Sequence, residues 1–168
     1  GGSAMYVAYS ANHFHQPVQQ VSIVGNDFPQ EELSHLKNCG VDTTGVEIVP
    51  DGKSFFWSGR YHMDMNTRDT LVTELNVLSQ FNPVLPDAYK ESDFLMLGNV
   101  MPSLQKKVIE QFTVRPKLIV LDTMNYWMDT AMDDLREVMR MSDVILINDS
   151  EARQLSNEYS LVKAAKKI

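Results

Sequence analysis

Four short apolar runs restrict what this chain can become: "VQQVSIVG" (Val18–Gly25), "FLMLGN" (residues 94–99), "KLIVLD" (residues 117–122) and "DVILIN" (residues 143–148). None alternates cleanly between apolar and polar residues. Such runs belong to strands covered on both faces, whereas a half-exposed strand shows a period of two. Helical patterns lie between them, and strands alternating with helices build βαβ units. The expected fold class is therefore α/β: a doubly wound, mainly parallel sheet with helices on both faces.

The helical patterns are specific. Ala4, Val7, Ala8 and Ala11 recur at i, i+3, i+4 and i+7 and place a stripe of mostly small residues on one face. Pro29 stands where a first helical turn begins, with Glu31 and Glu32 suited to the positive helix end, and Gly40 after "NC" is the expected left-handed stop. Leu104, Val108 and Phe112 mark a third helix. Ala131, Leu135, Val138 and Met139 mark a fourth, opened by "TAMD" with the spacing of a capping box.

Residues 45–82 break this pattern. "VEIV-PDG-KSFFWSGRY" reads as a hairpin around Pro50, Asp51 and Gly52, and "TLVTEL" (residues 70–75) as a further strand. The expected organisation is an α/β core made of residues 1–44 and 83–168, with residues 45–82 inserted as a small β-rich lid. A lid belongs over the strand ends, where open α/β sheets bind ligands. A β-rich surface insertion with only a packing role is the other reading.

Composition narrows the function classes. Of 168 residues, 43% are apolar and 9% aromatic, enough for a packed core. The apolar runs are too short to cross a bilayer, and no basic-then-apolar leader is seen. Cys39 is the single cysteine, so no internal disulfide and no cysteine-based zinc site can form. A formal charge of −7 disfavours nucleic acid as a main partner. A cytoplasmic domain without membrane contact is expected.

The chemistry-bearing residues gather at predicted strand ends. In "INDSEA", Asn148 and Glu151 sit three apart at a strand-to-helix turn, an amide and a carboxylate suited to water-mediated capture of Mg²⁺. The same residues also suit simple helix capping, by Asn148 or Ser150. Asp122 ends another strand, with Asn125 just beyond, and Asn99 and the pair Gly25 and Asp27 end two more. Turn and cap chemistry explains each of these residues equally well when taken alone. The histidines, including His62 in the lid beside Arg60, form no set with metal-ligand spacing. No nucleophile-elbow or P-loop pattern is present.

Taken in order, "GGSAMYVAYSANHF", "VSIVGNDF", the β-rich insertion and "SDVILINDSEA" resemble the ribokinase-like, or PfkB, carbohydrate kinases across essentially the whole chain. In that family a Gly-Gly pair opens a helix facing the sugar, a VGxD turn follows the next strand, a β-lid covers the substrate, and N-x-x-E organises Mg²⁺ and the nucleotide phosphates. The resemblance implies an ATP- and Mg²⁺-dependent kinase acting on a hydroxyl of a sugar or nucleoside. It implies substrate contacts from Gly1 and Gly2, nucleotide contacts from Asn148 and Glu151, and water-mediated Mg²⁺ binding by Glu151; by position alone, Asn99 at a strand end and Arg60 in the lid are added on the substrate side and Asp122 at a strand end on the nucleotide side. A homodimer through the lid is also expected, because an exposed β-lid has free edges to cover.

Two positions depart from the family pattern. Tyr6 stands where an Asn is common, and "DTMNYW" replaces D-x-N-x-R, so the substrate need not be ribose; Tyr6, Phe56 or Trp57 offer a stacking surface for a base or a sugar face. Family members run to about twice this length, with a strand before the Gly pair and a G-A-G-D segment, carrying the Asp base, downstream. The expectation is a substrate-side portion that does not turn over by itself. The rival reading is a non-catalytic sugar- or nucleoside-binding or regulatory protein on the same fold. A nucleoside hydrolase is disfavoured by the lack of an aspartate-rich calcium motif.

Overall fold

The first apolar run forms strand β1 over Val18–Gly25. Helix α2 (Gln30–Asn38) then carries the chain back, so that β2 (Val41–Val49) lies parallel to β1, with Val18 opposite Val41 and Gly25 opposite Val49. Gly40, at φ +91°, ends α2 in the left-handed conformation. Helix α1 (Ser3–Asn12) precedes β1 and packs on the same core, in which Met5, Ala8, Leu33, Leu36 and Val41 are buried together. The computed structural model that shows this describes residues 2–65 and 68–168. It divides into two compact units, Gly1–Val84 and Leu85–Ile168.

The buried stripe of α1 runs through Met5, Ala8 and Tyr9 rather than through Ala4, which is exposed. The period is the predicted one, displaced by a residue, because the larger Met5 side chain removes more apolar area from water than Ala4.

The predicted hairpin around Pro50–Asp51–Gly52 is not what forms. "VEIV" is the second half of β2 and is already bonded to β1. The strand after the turn, β3 (Phe56–Tyr61), pairs antiparallel with β4 (Arg68–Glu74), which contains most of "TLVTEL". The turn is real: the Gly52 amide donates to Val49 O at 3.2 Å and turns the chain out of the parallel pair. Both strands of the hairpin are mostly exposed, with Phe56, Tyr61 and Leu71 each more than half accessible.

The base of the hairpin is bolted to the end of β1. Ser54 donates its amide and its hydroxyl to Asp27 Oδ1, both at 2.8 Å, and its hydroxyl accepts from the Gly25 amide at 2.9 Å. The Asn26 amide donates to Gly52 O at 3.1 Å. A short 3₁₀ turn, Asn76–Gln80, closes the other side: Asn76 Nδ2 donates to Ser54 O at 2.9 Å and the Val77 amide to Lys53 O at 3.1 Å. Asp27 is thus occupied by Ser54 and does not cap α2, whose N-cap, Pro29, has no side-chain bond.

In the second unit, β5 (Phe94–Leu97), β6 (Leu118–Asp122) and β7 (Val144–Leu146) form a parallel sheet in that order. Around them lie α3 (Pro102–Glu110), α4 (Asn125–Thr130), α5 (Met132–Met141), α6 (Asp149–Ser156) and α7 (Leu161–Lys167). The core holds Leu97, Ile119, Leu121, Met128, Leu135 and Val138, with Val108 and Ile109 of α3 against it. Phe112 lies beyond the end of α3. The "TAMD" capping box does not form, because Thr130 donates its hydroxyl back to Tyr126 O at 2.6 Å inside the last turn of α4. The N-cap of α5 is therefore Ala131, which has no side-chain oxygen. No helix of the described residues is long and apolar enough to cross a membrane.

A Cβ added at Gly25 would lie 2.3 Å from Gly52 O and 2.6 Å from Ser54 N, both backbone atoms held by the bonds above. Gly25→Ala is therefore expected to destabilise the fold by about 1–3 kcal/mol, as overpacking does. Urea titration of the variant checks this, and an unchanged midpoint would remove the close approach from the account.

Candidate functional site

The chemistry gathers where the three parallel strands of the second unit end. Leu97 pairs with Leu121, and Asp122 pairs with Leu146. Just past the last β5–β6 pair the strands are bridged by a side chain. Gln105 of α3 is almost wholly buried and donates both hydrogens of its amide, to Gly98 O at 2.8 Å and to Asp122 O at 2.9 Å. Its Oε1 and the buried Thr123 Oγ1 have no hydrogen-bond partner among the described residues, which is unusual for buried polar atoms.

Asn99 follows Gly98 and is exposed. Its Oδ1 accepts from the Trp127 indole N–H at 2.8 Å. Trp127 is in α4, packs against the core and meets Tyr126 edge-on. Asn125, at the first turn of α4, donates to Gln154 Oε1 of α6, and Gln154 donates in turn to Asp129 at 2.8 Å. These contacts tie α4 to α6.

Asn148 and Glu151 form a complete capping box at the start of α6. Asn148 Oδ1 accepts from the Glu151 amide, and Glu151 Oε2 accepts from the Asn148 amide, each at 2.9 Å. The cap is Asn148, not Ser150. Its geometry turns the Glu151 carboxylate back over the strand ends, where it is buried at 8% exposure. Burial pushes the Asp122 carboxyl above its ordinary value, and the nearby Glu151 adds to the rise.

The two ends of this sheet differ sharply in charge. At the beginning of the strands, Asp93 pairs with Lys117 at 2.9 Å, and Asp143 pairs with Arg115 at 2.8 Å while accepting from the Ile119 amide. At the far end, Asp122 and Glu151 form no salt bridge with a Lys or Arg among the described residues. That end holds two close, partly desolvated carboxylates with no protein cation beside them.

The donor set suits Mg²⁺. One oxygen of Glu151 is taken by the Asn148 amide, which leaves the other for a ligand or its water, and Asp122 adds a second hard carboxylate. No group of three or more His, Cys, Asp or Glu comes together among the described residues. Two carboxylates in place of a full cage match an ion that keeps its waters and takes its remaining ligands from a phosphate.

The remaining predicted residues belong to the first unit. Gly1 lies outside the described residues. Gly2 caps α1 at φ +84°, a conformation that favours glycine, and a Cβ built there meets nothing within 4 Å. Arg60 is exposed on β3, opposite Asp69, which is itself 3.0 Å from His62.

The whole of residues 1–168 matches the model of the pfkB family carbohydrate kinases. The chain belongs to that family. A cytidine kinase of Thermococcus kodakarensis is 27% identical over 170 residues, a span that is 99% of this chain and 59% of that protein. The pfkB chain also superposes on solved structures at low identity, which bears on the fold. The Burkholderia thailandensis nucleoside kinase in complex with inosine gives a TM-score of 0.73 at 17% identity, covering 100% of this chain and 56% of that one. An E. coli protein described as a ribokinase II, in complex with ATP and Mg²⁺, gives 0.74 at 19%, covering 99% and 57%. The chain thus spans a little over half the length of the relatives it matches. The fold class is α/β and ribokinase-like, as the motif order predicts.

Sequence reasoning did not reach Gln105, Trp127 or Ser54. A signal existed for Gln105: it stands three residues after Pro102 and four before Ile109, on the inward face of α3. For Trp127 and Ser54, whose partners lie 28 and 27 residues away, no local signal existed.

The raised Asp122 carboxyl carries a sign. A carboxyl that binds its proton more tightly in the folded state contributes stability that is complete below the ordinary value of 3.8 and is lost as pH rises through the folded value. Asp122→Asn is accordingly expected to melt above the parent protein at pH 7, with the difference closing in acid. Thermal melts from pH 3 to 8 check this; an equal or lower melting temperature at pH 7 would show that Asp122 is not strained.

Proposed function

We propose that the protein carrying this chain is an ATP- and Mg²⁺-dependent kinase that transfers a phosphoryl group to a hydroxyl of a nucleoside or sugar. The match to the pfkB family over residues 1–168 is the observation that carries this reading. A nucleoside is favoured over a free sugar, because the cytidine kinase relative aligns along 99% of the chain.

Gly1 and Gly2 contact the substrate, the first N–H groups of α1 after Gly2 meet its hydroxyls, and Asn99 and Arg60 add side-chain contacts. Asp122, Asn148 and Glu151 serve the nucleotide end, with Glu151 reaching the ion through water and Asn148 fixing the direction of the Glu151 carboxylate. Bound Mg²⁺ supplies charge neutralisation on the transferring phosphate. Phosphoryl transfer rests on positioning and electrostatics. The Asp that deprotonates the substrate hydroxyl is expected downstream of this segment, so residues 1–168 by themselves bind ligand without turnover.

The mostly exposed lid is also the surface through which we propose that two copies associate. An isolated two-stranded hairpin is marginal in water, and Phe56, Tyr61 and Leu71 are accessible on it. Sedimentation of the whole protein is expected to give a dimer that Leu71→Lys converts to monomer. A monomer at the highest attainable concentration would discard the idea.

The capping and ion-binding roles of Glu151 are separable. Glu151→Gln keeps an oxygen that accepts from the Asn148 amide and removes the charge. In the whole protein its melting temperature is expected to stay within a few degrees of the parent, while coupled-assay turnover with ATP, Mg²⁺ and cytidine or inosine falls at least tenfold, roughly the loss of a charge-assisted contact. Unchanged turnover would confine Glu151 to capping. A whole protein that consumes no ATP with any nucleoside or sugar would count against the kinase reading itself.

A further inference from the structure

The bond between Trp127 and Asn99 restricts what Asn99 can recognise. An indole N–H only donates, so the atom 2.8 Å from it must be the amide oxygen of Asn99 and not its nitrogen. The amide is thereby oriented by chemistry as well as by shape: Oδ1 is turned inward to the indole, and the exposed remainder of the group is an NH₂. Trp127 is itself anchored. It packs against the buried cluster that contains Leu97, Ile119, Leu121, Met128, Leu135 and Val138, and Tyr126 meets it edge-on with ring centres 4.9 Å apart.

We propose that Trp127 is a positioning residue. It locks the Asn99 amide so that Asn99 offers the substrate hydrogen-bond donors only, and thereby selects an acceptor atom, a hydroxyl oxygen or a ring carbonyl, at that point of the substrate. The inference rests on the kinase reading above, in which Asn99 touches the substrate. Without the indole the amide is free to turn over and present its oxygen, and a substrate acceptor then faces a repulsive partner in part of the population.

Calorimetric titration of the whole protein with cytidine, inosine and ribose, and separately with Mg²⁺–ATP, tests this. Trp127→Phe keeps an aromatic ring and removes the N–H; it is expected to weaken the best-bound of the three probes on the order of fivefold, the value of one hydrogen bond, and to leave the affinity for ATP unchanged. Because Trp127 acts through Asn99, the same substitution is expected to have no further effect in an Asn99→Ala background. Asn99→Asp accepts from the indole as before but presents no donor. It lies at an exposed position, so its expected loss of affinity, at least as great as that of Trp127→Phe, does not depend on how the core tolerates a change at Trp127. Equal losses from Trp127→Phe in both backgrounds, or an Asn99→Asp protein that binds like the parent, overturn the assignment alone. A parent protein that binds ATP but none of the three probes overturns the functional reading, and the assignment falls with it.

Discussion

Parallel pairing is the constraint on which the rest of this structure depends. A parallel strand cannot be reached by a tight turn, so every step across the sheet requires a crossover, and every crossover starts from the same edge. In the second unit that edge collects Asn99, Asp122, Thr123 and the capping box of α6. The opposite edge is where the chain returns, and there the acids Asp93 and Asp143 are matched by Lys117 and Arg115. Neutralised charge at one end and unmatched charge at the other are what separates a structural edge from one that can hold a ligand.

Helix capping and ion binding look like competing explanations of Asn148 and Glu151, yet the geometry of the cap leaves them compatible. A carboxylate that accepts from a backbone amide is held in one orientation, and a fixed carboxylate gives up less conformational freedom when a ligand arrives. The cap accounts for where Glu151 points. It does not account for why a carboxylate is kept buried near Asp122, since an uncharged side chain with one acceptor oxygen satisfies the same amide.

How far the sequence carried varies from element to element. The β1 run is read to its ends because both its faces are covered and its boundaries coincide with turn residues. Helices α1 and α3 show their period but not their phase: Met5 takes the place expected of Ala4, and Gln105 is buried where apolar periodicity looks only for carbon. The pairing of residues 46–49 is misread as local because a turn signal beside two β-rich runs does not reveal that the first run already has a partner in β1. At the candidate site, the gathering of Asp122, Asn148 and Glu151 at one sheet edge is legible because all three stand at or just past strand ends. Their supports are not, because Trp127 reaches Asn99 and Ser54 reaches Asp27 only once the chain has folded.

The stapled base of the hairpin has a consequence for how this protein tolerates change. Asn76 and Ser54, 22 residues apart, are joined by a hydrogen bond, so the β3–β4 hairpin is a closed loop whose ends meet rather than an arm hanging from one strand. The entropy of closing such a loop rises only with the logarithm of its length, by about 0.6 kcal/mol for a doubling. Residues added to or removed from the hairpin therefore leave the parallel pair of β1 and β2 almost undisturbed. The hairpin is the part of this unit whose length can drift over generations without endangering the fold.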